Sequence, residues 1–154
     1  IIYDALMIWK PNVTVAAVAV RDGKHLLVEE KEDGKLVLNQ PAGHLDEGES
    51  LLDAVVRETL EETAWHFVPE FLIGIYRWPY PEKNVTYLRF AFAGHVTGHE
   101  AGRTLDRGVV QAVWLTAQEI AREAARHRSP QVQRTLDDYL AGRRYPLDLL
   151  NEVI

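Results

Sequence analysis

Three glutamates, Glu58, Glu61 and Glu62, follow one another at i, i+3 and i+4, with Arg57 immediately before them. In a helix that spacing puts all three carboxylates on one face, where like charges weaken an isolated helix by a few tenths of about 1 kcal/mol per pair. Only Arg57 lies close enough in sequence to offset the repulsion from within. A hard divalent cation offsets it better, because magnesium and manganese take several oxygen ligands and keep waters that a phosphate can displace. Acidic helical faces are often merely solvated, so the spacing alone does not decide between a metal site and a wet surface.

The elements around the triad supply a rigid mount. Leu51, Leu52, Val55, Val56 and Leu60 recur at helical spacing from 51 to 63, and Ser50 followed by Asp53 has the form of a capping box, so a helix begins at Leu51. Its apolar side can bury into a sheet and hold the carboxylates in a fixed direction. Upstream, Val13 to Val20 is a nearly continuous apolar run that reads as a strand buried on both faces. Asp22-Gly23 turns it into a partner over His25 to Glu30, and Asp33-Gly34 precedes a short stretch at Leu36 to Leu38. Asn39 to Gly48, with Pro41, Gly43 and Gly48 and no apolar period, reads as a loop. Downstream, Phe71 to Trp78 and Val85 to Val96 read as strands around a Pro-rich turn. Gly98 to Gly108 reads as a mobile loop and Val109 to Leu115 as a further strand. Thr116 with Glu119 starts a helix to about Ala125, and Ser129-Pro130 opens a last helix ending near Ala141-Gly142. Together these give an α/β sandwich: a mixed β-sheet with the glutamate-bearing helix on one face and the later helices on the other.

Composition narrows the chemistry. The 154 residues and an apolar share of 47% suit a single domain over 1–154, with residues 1–6, ahead of the only methionine, Met7, read as upstream or added sequence. The absence of cysteine rules out thiolate zinc sites, cysteine nucleophiles and disulfides. A net charge of −6 opposes nucleic acid and bare polyphosphate, which favours a cation-assisted site over a basic cleft. No apolar run approaches the roughly 20 residues that span a bilayer, so no membrane is expected and the cytoplasm is the expected location.

From Gly43 the sequence GHLDEGESLLDAVVRETLEETAW sets glycine, five residues, Glu49, seven residues, Arg57-Glu58, a pair, then Glu61-Glu62. This resembles the Nudix box, the signature of hydrolases that act on nucleoside diphosphates linked to another group. The wider pattern, through Lys10-Pro11, Asn39 to Leu45, Leu88-Arg89-Phe90 and Arg128-Ser129-Pro130, is similar to the NudJ-type phosphatases. Those take nucleoside di- and triphosphates and the pyrophosphates of thiamine and its pyrimidine precursor.

The resemblance implies a Nudix α/β/α sandwich and a Mg2+- or Mn2+-dependent cleavage of a phosphoanhydride in a small-molecule substrate by an activated water. It implies Glu58, Glu61 and Glu62 as metal ligands, joined by the backbone carbonyl of Ala42 or Gly43. Glu49 and Arg57 would brace the loop against the helix, and Glu61, with Glu58 second, would take the proton from water. Two positions depart from the pattern: Thr59 stands where the family has an apolar residue, and Ala64 where it has glycine. Either Ala64 bears a left-handed conformation, at roughly 1 kcal/mol, or the helix runs on toward Trp65.

For the substrate, Arg77 and Arg89 on strands are candidates to grip phosphate. Trp78 and Tyr87 are candidates to stack on a ring, and His44 to touch phosphate. Surface arginines and packed aromatics are the plain alternatives. His25, His66, His95, His99 and His127 lack ligand spacing. Two rival functions remain: a regulatory Nudix domain that binds nucleotide without turnover, and an RNA 5′-end hydrolase, which the acidic balance disfavours. A monomer or homodimer is expected.

Overall fold

The computed structural model describes residues 8–154. The expectation that residues 1–6 are upstream sequence therefore falls outside the described residues. The strands are β1 (Asn12–Arg21), β2 (Lys24–Glu32), β3 (Lys35–Asn39), β4 (Ala42–His44), β5 (Trp65–Tyr80), β6 (Val85–His99) and β7 (Val109–Leu115). The helices are α1 (Leu51–Thr63), α2 (Ala117–Arg122) and α3 (Gln131–Leu140).

The mixed sheet runs β3-β2-β1-β6-β5, with β7 added to β2 and β4 to β1. β1 lies parallel to β6 from Asn12↔Tyr87 to Ala19↔Gly94, and core clusters on either side bury both of its faces. Its other edge is divided. Thr14 to Ala16 pair with β4, and only Val20 and Arg21 pair with β2. The sheet splits there, and a cleft lined by Thr14, Asn39, Ala42 and Gly43 opens beside the split.

Alternation along β1 sorts the core. Val15, Ala17 and Ala19 pack with Ala54 and Val55 of α1, and Phe67, Leu72 and Phe92 complete that layer. Ala16 and Val18 face the other way, with Ile73, Ala91, Ala93 and Tyr139 of α3. A third cluster, Leu27, Leu38, Ile120, Val132 and Leu136, seats α2 and α3 on β2 and β3. The α/β sandwich read from the sequence is the observed architecture.

Three boundaries differ from expectation. The stretch read as a loop over Asn39 to Gly48 contains β4, whose three residues carry no apolar period of their own and are ordered by hydrogen bonding to β1. β5 begins at Trp65, directly after α1, because its pairing with β6 extends to Trp65↔His99. The segment after His99 is tied to α1 rather than left loose: Glu100 N–H donates to the Ala64 carbonyl at 2.8 Å and Asp106 N–H to the Glu61 carbonyl at 3.0 Å.

Both departures from the family pattern in α1 have physical answers. Thr59 is fully buried, and its hydroxyl donates to the Val55 carbonyl at 2.7 Å, so the polar group is satisfied within the helix. Ala64 takes the left-handed option, with φ 64°, and closes the helix by donating its N–H to Leu60. The conformation costs roughly 1 kcal/mol, but the buried methyl returns about 0.8 kcal/mol. Ala64→Gly is therefore expected to shift unfolding free energy by less than about 1 kcal/mol. Urea denaturation checks this, and a larger loss would show that methyl packing outweighs backbone strain.

Candidate active site

Arg57 is the centre of the site. Its Nε and Nη2 hold Glu49 in a two-pronged grip, at 3.0 and 2.6 Å, and Nη2 also donates to the His44 carbonyl at 3.0 Å. Nη1 turns to the triad, reaching Glu58 Oε1 at 2.8 Å and Glu61 Oε2 at 3.2 Å. Asp46 adds a further carboxylate at 3.3 Å. One guanidinium thus fastens the loop after β4 to α1 and supplies positive charge to Glu58 and Glu61. The paired carboxylates, Glu49 first, raise its pKa further.

The three glutamates do not converge on one point. Glu58 and Glu61 join Asp106, with one carboxylate oxygen from each lying within 4.8 Å of the others. Glu62 is directed elsewhere: it is buried, and Oε1 accepts the Ala42 N–H at 2.8 Å. Asp106 was missed in the sequence because nothing in its loop links it by spacing to α1. The pairing of β7 with β2 and the bond to Glu61 bring it there.

β4 is shaped for this arrangement. In an antiparallel ladder alternate residues turn their polar groups to the partner strand. Gly43 stands opposite Val15 and spends its groups on β1. Ala42 and His44 face away, which is why the Ala42 N–H meets Glu62 and the His44 carbonyl meets Arg57. The Ala42 carbonyl shares that direction, whereas Gly43 contributes clearance: a Cβ there would fall on the Glu58 carboxylate.

Burial dominates the electrostatics. It raises Glu58 from 4.5 to about 7 despite the Arg57 contact, and Glu62 to about 9 despite the Ala42 hydrogen bond. Glu61 is raised as well, by burial and by Asp106. Carboxylates held together against solvation and mutual repulsion form a donor set that suits a hard divalent cation. Glu58, Glu61 and Asp106 would hold it, with Ala42's carbonyl alongside.

The carboxylates open into a cleft of about 300 Å³ lined by Glu58, Glu62, Gly43, His44, Trp78, Tyr87 and Arg89, among others. Trp78 and Tyr87 are cross-strand partners, with ring centroids 5.6 Å apart and planes 16° from parallel. The exposed His44 ring tilts against Tyr87 at 6.4 Å.

The two arginines part company. Arg77 lies on the face of β5 opposite Trp78, is exposed and lines no part of this cleft, because strand alternation turns it outward. Arg89 is inside but only 3% exposed, and its fork is engaged by Gln40 Oε1, Thr135 Oγ1 and Asn39 Oδ1, at 3.1, 3.4 and 3.2 Å. Burial lowers its pKa to about 10, so it remains a cation at neutral pH. Among the described residues it has no hydrogen-bonded carboxylate partner, and it acts on the cleft as a fixed buried charge.

A family model for the NUDIX domain matches residues 10–136. The chain belongs to the Nudix family. It is 39% identical over 144 residues to phosphatase NudJ of Escherichia coli strain K12, covering 94% of this chain and 93% of that protein. A solved NUDIX hydrolase from Nitrosomonas europaea superposes with a TM-score of 0.91 at 52% identity, covering 94% of this chain and 98% of that one. The NUDIX domain of Shewanella oneidensis NrtR, complexed with ADP ribose, shares the fold at a TM-score of 0.70 and 19% identity, over 90% of this chain and 94% of that one. The chain is a Nudix hydrolase similar to phosphatase NudJ.

Two outcomes follow from this geometry. Gly43→Ala should push Glu58 aside and lower kcat by about a hundredfold, since a shift near 1 Å in a reacting group has that cost; steady-state rates check it, and near-normal turnover would remove the steric role. The second concerns pH. Glu58 and Glu62 have folded pKa values above the ordinary 4.5, so the folded state binds more protons than the unfolded chain. Stability from this source is complete below about 4.5 and is lost as pH rises through about 7 and 9. Melting in chelator should therefore fall between pH 5 and 9, and added Mg2+ should reverse the fall; a flat profile in chelator would contradict the raised values.

Proposed function

We propose that this enzyme hydrolyses phosphoanhydride bonds in nucleoside di- or triphosphates or related pyrophosphates such as thiamine pyrophosphate, with Mg2+ or Mn2+ as cofactor. The observation that carries the reading is the Glu58–Glu61–Asp106 group at the edge of a cleft whose other wall is the stacked pair Trp78 and Tyr87. An acidic end needs a cation before it accepts a pyrophosphate, and an aromatic wall suits a flat organic group. The similarity to phosphatase NudJ supports the same class of substrate.

A divalent cation bound at the acidic group supplies charge neutralisation of the pyrophosphate and acidifies the attacking water. The chain's own groups do the rest. Arg57 holds Glu58 through Oε1, and no hydrogen bond among the described residues engages Oε2, which would receive the proton of the attacking water. Glu61 is a poorer acceptor than the sequence pattern suggests, since it is engaged by Arg57 and Asp106 and does not line the cleft. Glu62, within the cleft and anchored on Ala42, lines the approach to the cation. Buried Arg89 offsets the negative charge that accumulates when the substrate enters.

Turnover is favoured over a purely regulatory binding role because every box carboxylate is present. Cation binding and catalysis also separate the residues. Glu58→Gln should lower kcat at least about a hundredfold, whereas Asp106→Asn should raise the Mg2+ concentration for half-maximal rate about tenfold. A greater loss in Glu61→Gln than in Glu58→Gln would move the proton-accepting role to Glu61.

The decisive experiment is a substrate panel of nucleoside triphosphates, diphosphates, sugar nucleotides and thiamine pyrophosphate, with product identification and with Mg2+, Mn2+ or chelator. Cation-dependent release of phosphate or of a monophosphate is expected. Binding without release across the panel would instead favour the regulatory reading.

A further inference from the structure

A polyanion entering the cleft gains most from a cation that it can touch, and Arg89 is not one. Its fork is engaged by neutral side chains, so it acts through its field. Arg128 is the other arginine in the lining, and its side chain is 40% exposed. It also lines an adjoining groove of about 510 Å³ that shares Trp78, Tyr80 and Ser129 with the cleft, so it stands where the two meet.

Arg128 is anchored at its root and on one side. Its backbone N–H donates to the Leu38 carbonyl at 2.9 Å, and Nη1 donates to Oε2 of the buried Glu30, also at 2.9 Å. The remaining edge of the guanidinium, Nε with Nη2, is only half used. Nε lies 3.2 Å from Oε2 of Glu32, and no hydrogen bond among the described residues engages Nη2. Glu32 is itself half-buried in the cleft wall and shares its Oε1 with Lys83 Nζ at 3.4 Å. Ion pairs open to solvent hold weakly, and Glu32 keeps Lys83 when it lets go of Arg128. Burial first, and then repulsion from Arg128, lowers the Arg89 pKa, so the two guanidiniums feel one another. Two like cations lining one cleft attract an anion more strongly than either alone.

We propose that Arg128 grips a substrate phosphate directly, and that Glu32 holds the same edge of its guanidinium until that phosphate displaces it. Glu30 does for Arg128 what Glu49 does for Arg57, fixing the plane of the fork. Nε and Nη2 then offer two parallel donors to two phosphate oxygens, a geometry that one carboxylate oxygen at Nε does not use. The exchange leaves no charge stranded, because Glu32 stays paired with Lys83. A cation at the acidic group takes one phosphoryl group and Arg128 another, which fixes the pyrophosphate at two points. This inference rests on the phosphoanhydride reading for the identity of the anion.

The test pairs steady-state rates on nucleoside diphosphates with calorimetry of their methylene-bridged analogues in Mg2+, for Arg128→Gln, Arg128→Lys, Glu32→Gln and the double variant with Arg128→Gln. Arg128→Gln should raise KM about tenfold, more than it lowers kcat, and weaken the analogue by a similar factor, as the loss of a charged hydrogen bond does. Arg128→Lys should recover only part of the loss, since an ammonium has no fork. Glu32→Gln should tighten the analogue about threefold when Arg128 is present and not at all in the double variant. Tightening that survives in the double variant would show that Glu32 acts by plain charge repulsion, and would overturn the exchange. So would an unchanged Kd in Glu32→Gln alone, a variant that leaves Arg128 and Glu30 in place, whatever the arginine variants do to folding. A fall in kcat in Arg128→Gln with KM and Kd at wild-type values would make the residue structural and overturn the grip. Binding of the analogue that depends on Arg128, without hydrolysis of the diphosphates, would sink the enzymatic reading and keep this one; hydrolysis with a KM indifferent to Arg128 would sink this one.

Discussion

The site depends on a single cation supplied by the chain itself. Arg57 contacts four carboxylates, those of Asp46, Glu49, Glu58 and Glu61, and also the His44 carbonyl. Without that charge Glu58 and Glu61 would stand one helical turn apart with nothing between them, at the edge of a cleft where burial already opposes ionisation. The bidentate grip on Glu49 gives the guanidinium a fixed plane, and the two triad glutamates are aligned by what remains of its donors. A lysine could supply the charge but not this division of labour, because an ammonium has no planar fork. The loop, the helix start and the carboxylates of Glu58 and Glu61 are thus one mechanical unit.

That unit needs a sheet that gives way at the right point. β1 is held by β6 along one edge, but its other edge passes from β4 to β2, and the opening between them admits the α1 side chains to the cleft. Gly43 is the narrowest place. Its lack of a side chain lets the Glu58 carboxylate lie against the strand, and the alternate direction of Ala42 provides an N–H for Glu62. The two carboxylates one turn apart therefore meet different partners, Arg57 and backbone, and the deeper burial of Glu62 raises it further, to about 9 against about 7 for Glu58.

How much of this the sequence disclosed follows the range of the forces involved. α1 was legible to the residue because capping and 3.6-residue periodicity are local, and Ser50 does accept from the Asp53 N–H at 3.0 Å. The sandwich was legible from apolar runs such as Val13 to Val20. β4 was not, since three residues without an apolar pattern become a strand only when β1 offers its edge. Asp106 was illegible for the same reason: it reaches the triad through a pairing between β2 and β7 some 80 residues apart in the chain. Arg77 and Arg89 looked equivalent, each on a strand beside apolar neighbours. Strand register decided between them, turning Arg77 to solvent and Arg89 inward.

Arg89 also resolves a difficulty set by composition. A protein of net charge −6 with an acidic cluster at its site has little long-range attraction for a pyrophosphate. A surface arginine would add little, since water and salt screen it. Arg89 is enclosed by Asn39, Gln40 and Thr135, neutral groups that orient it without cancelling its charge. Its field therefore acts through protein rather than water and falls on the cleft it lines. Burying an arginine with no carboxylate hydrogen-bonded to it among the described residues is costly to the fold, and that cost makes sense where an anion is the intended partner. Arg57 orders the chain's own carboxylates, and Arg89 within the cleft would balance the charge of the substrate's phosphates, so that an acidic protein can receive a polyanion.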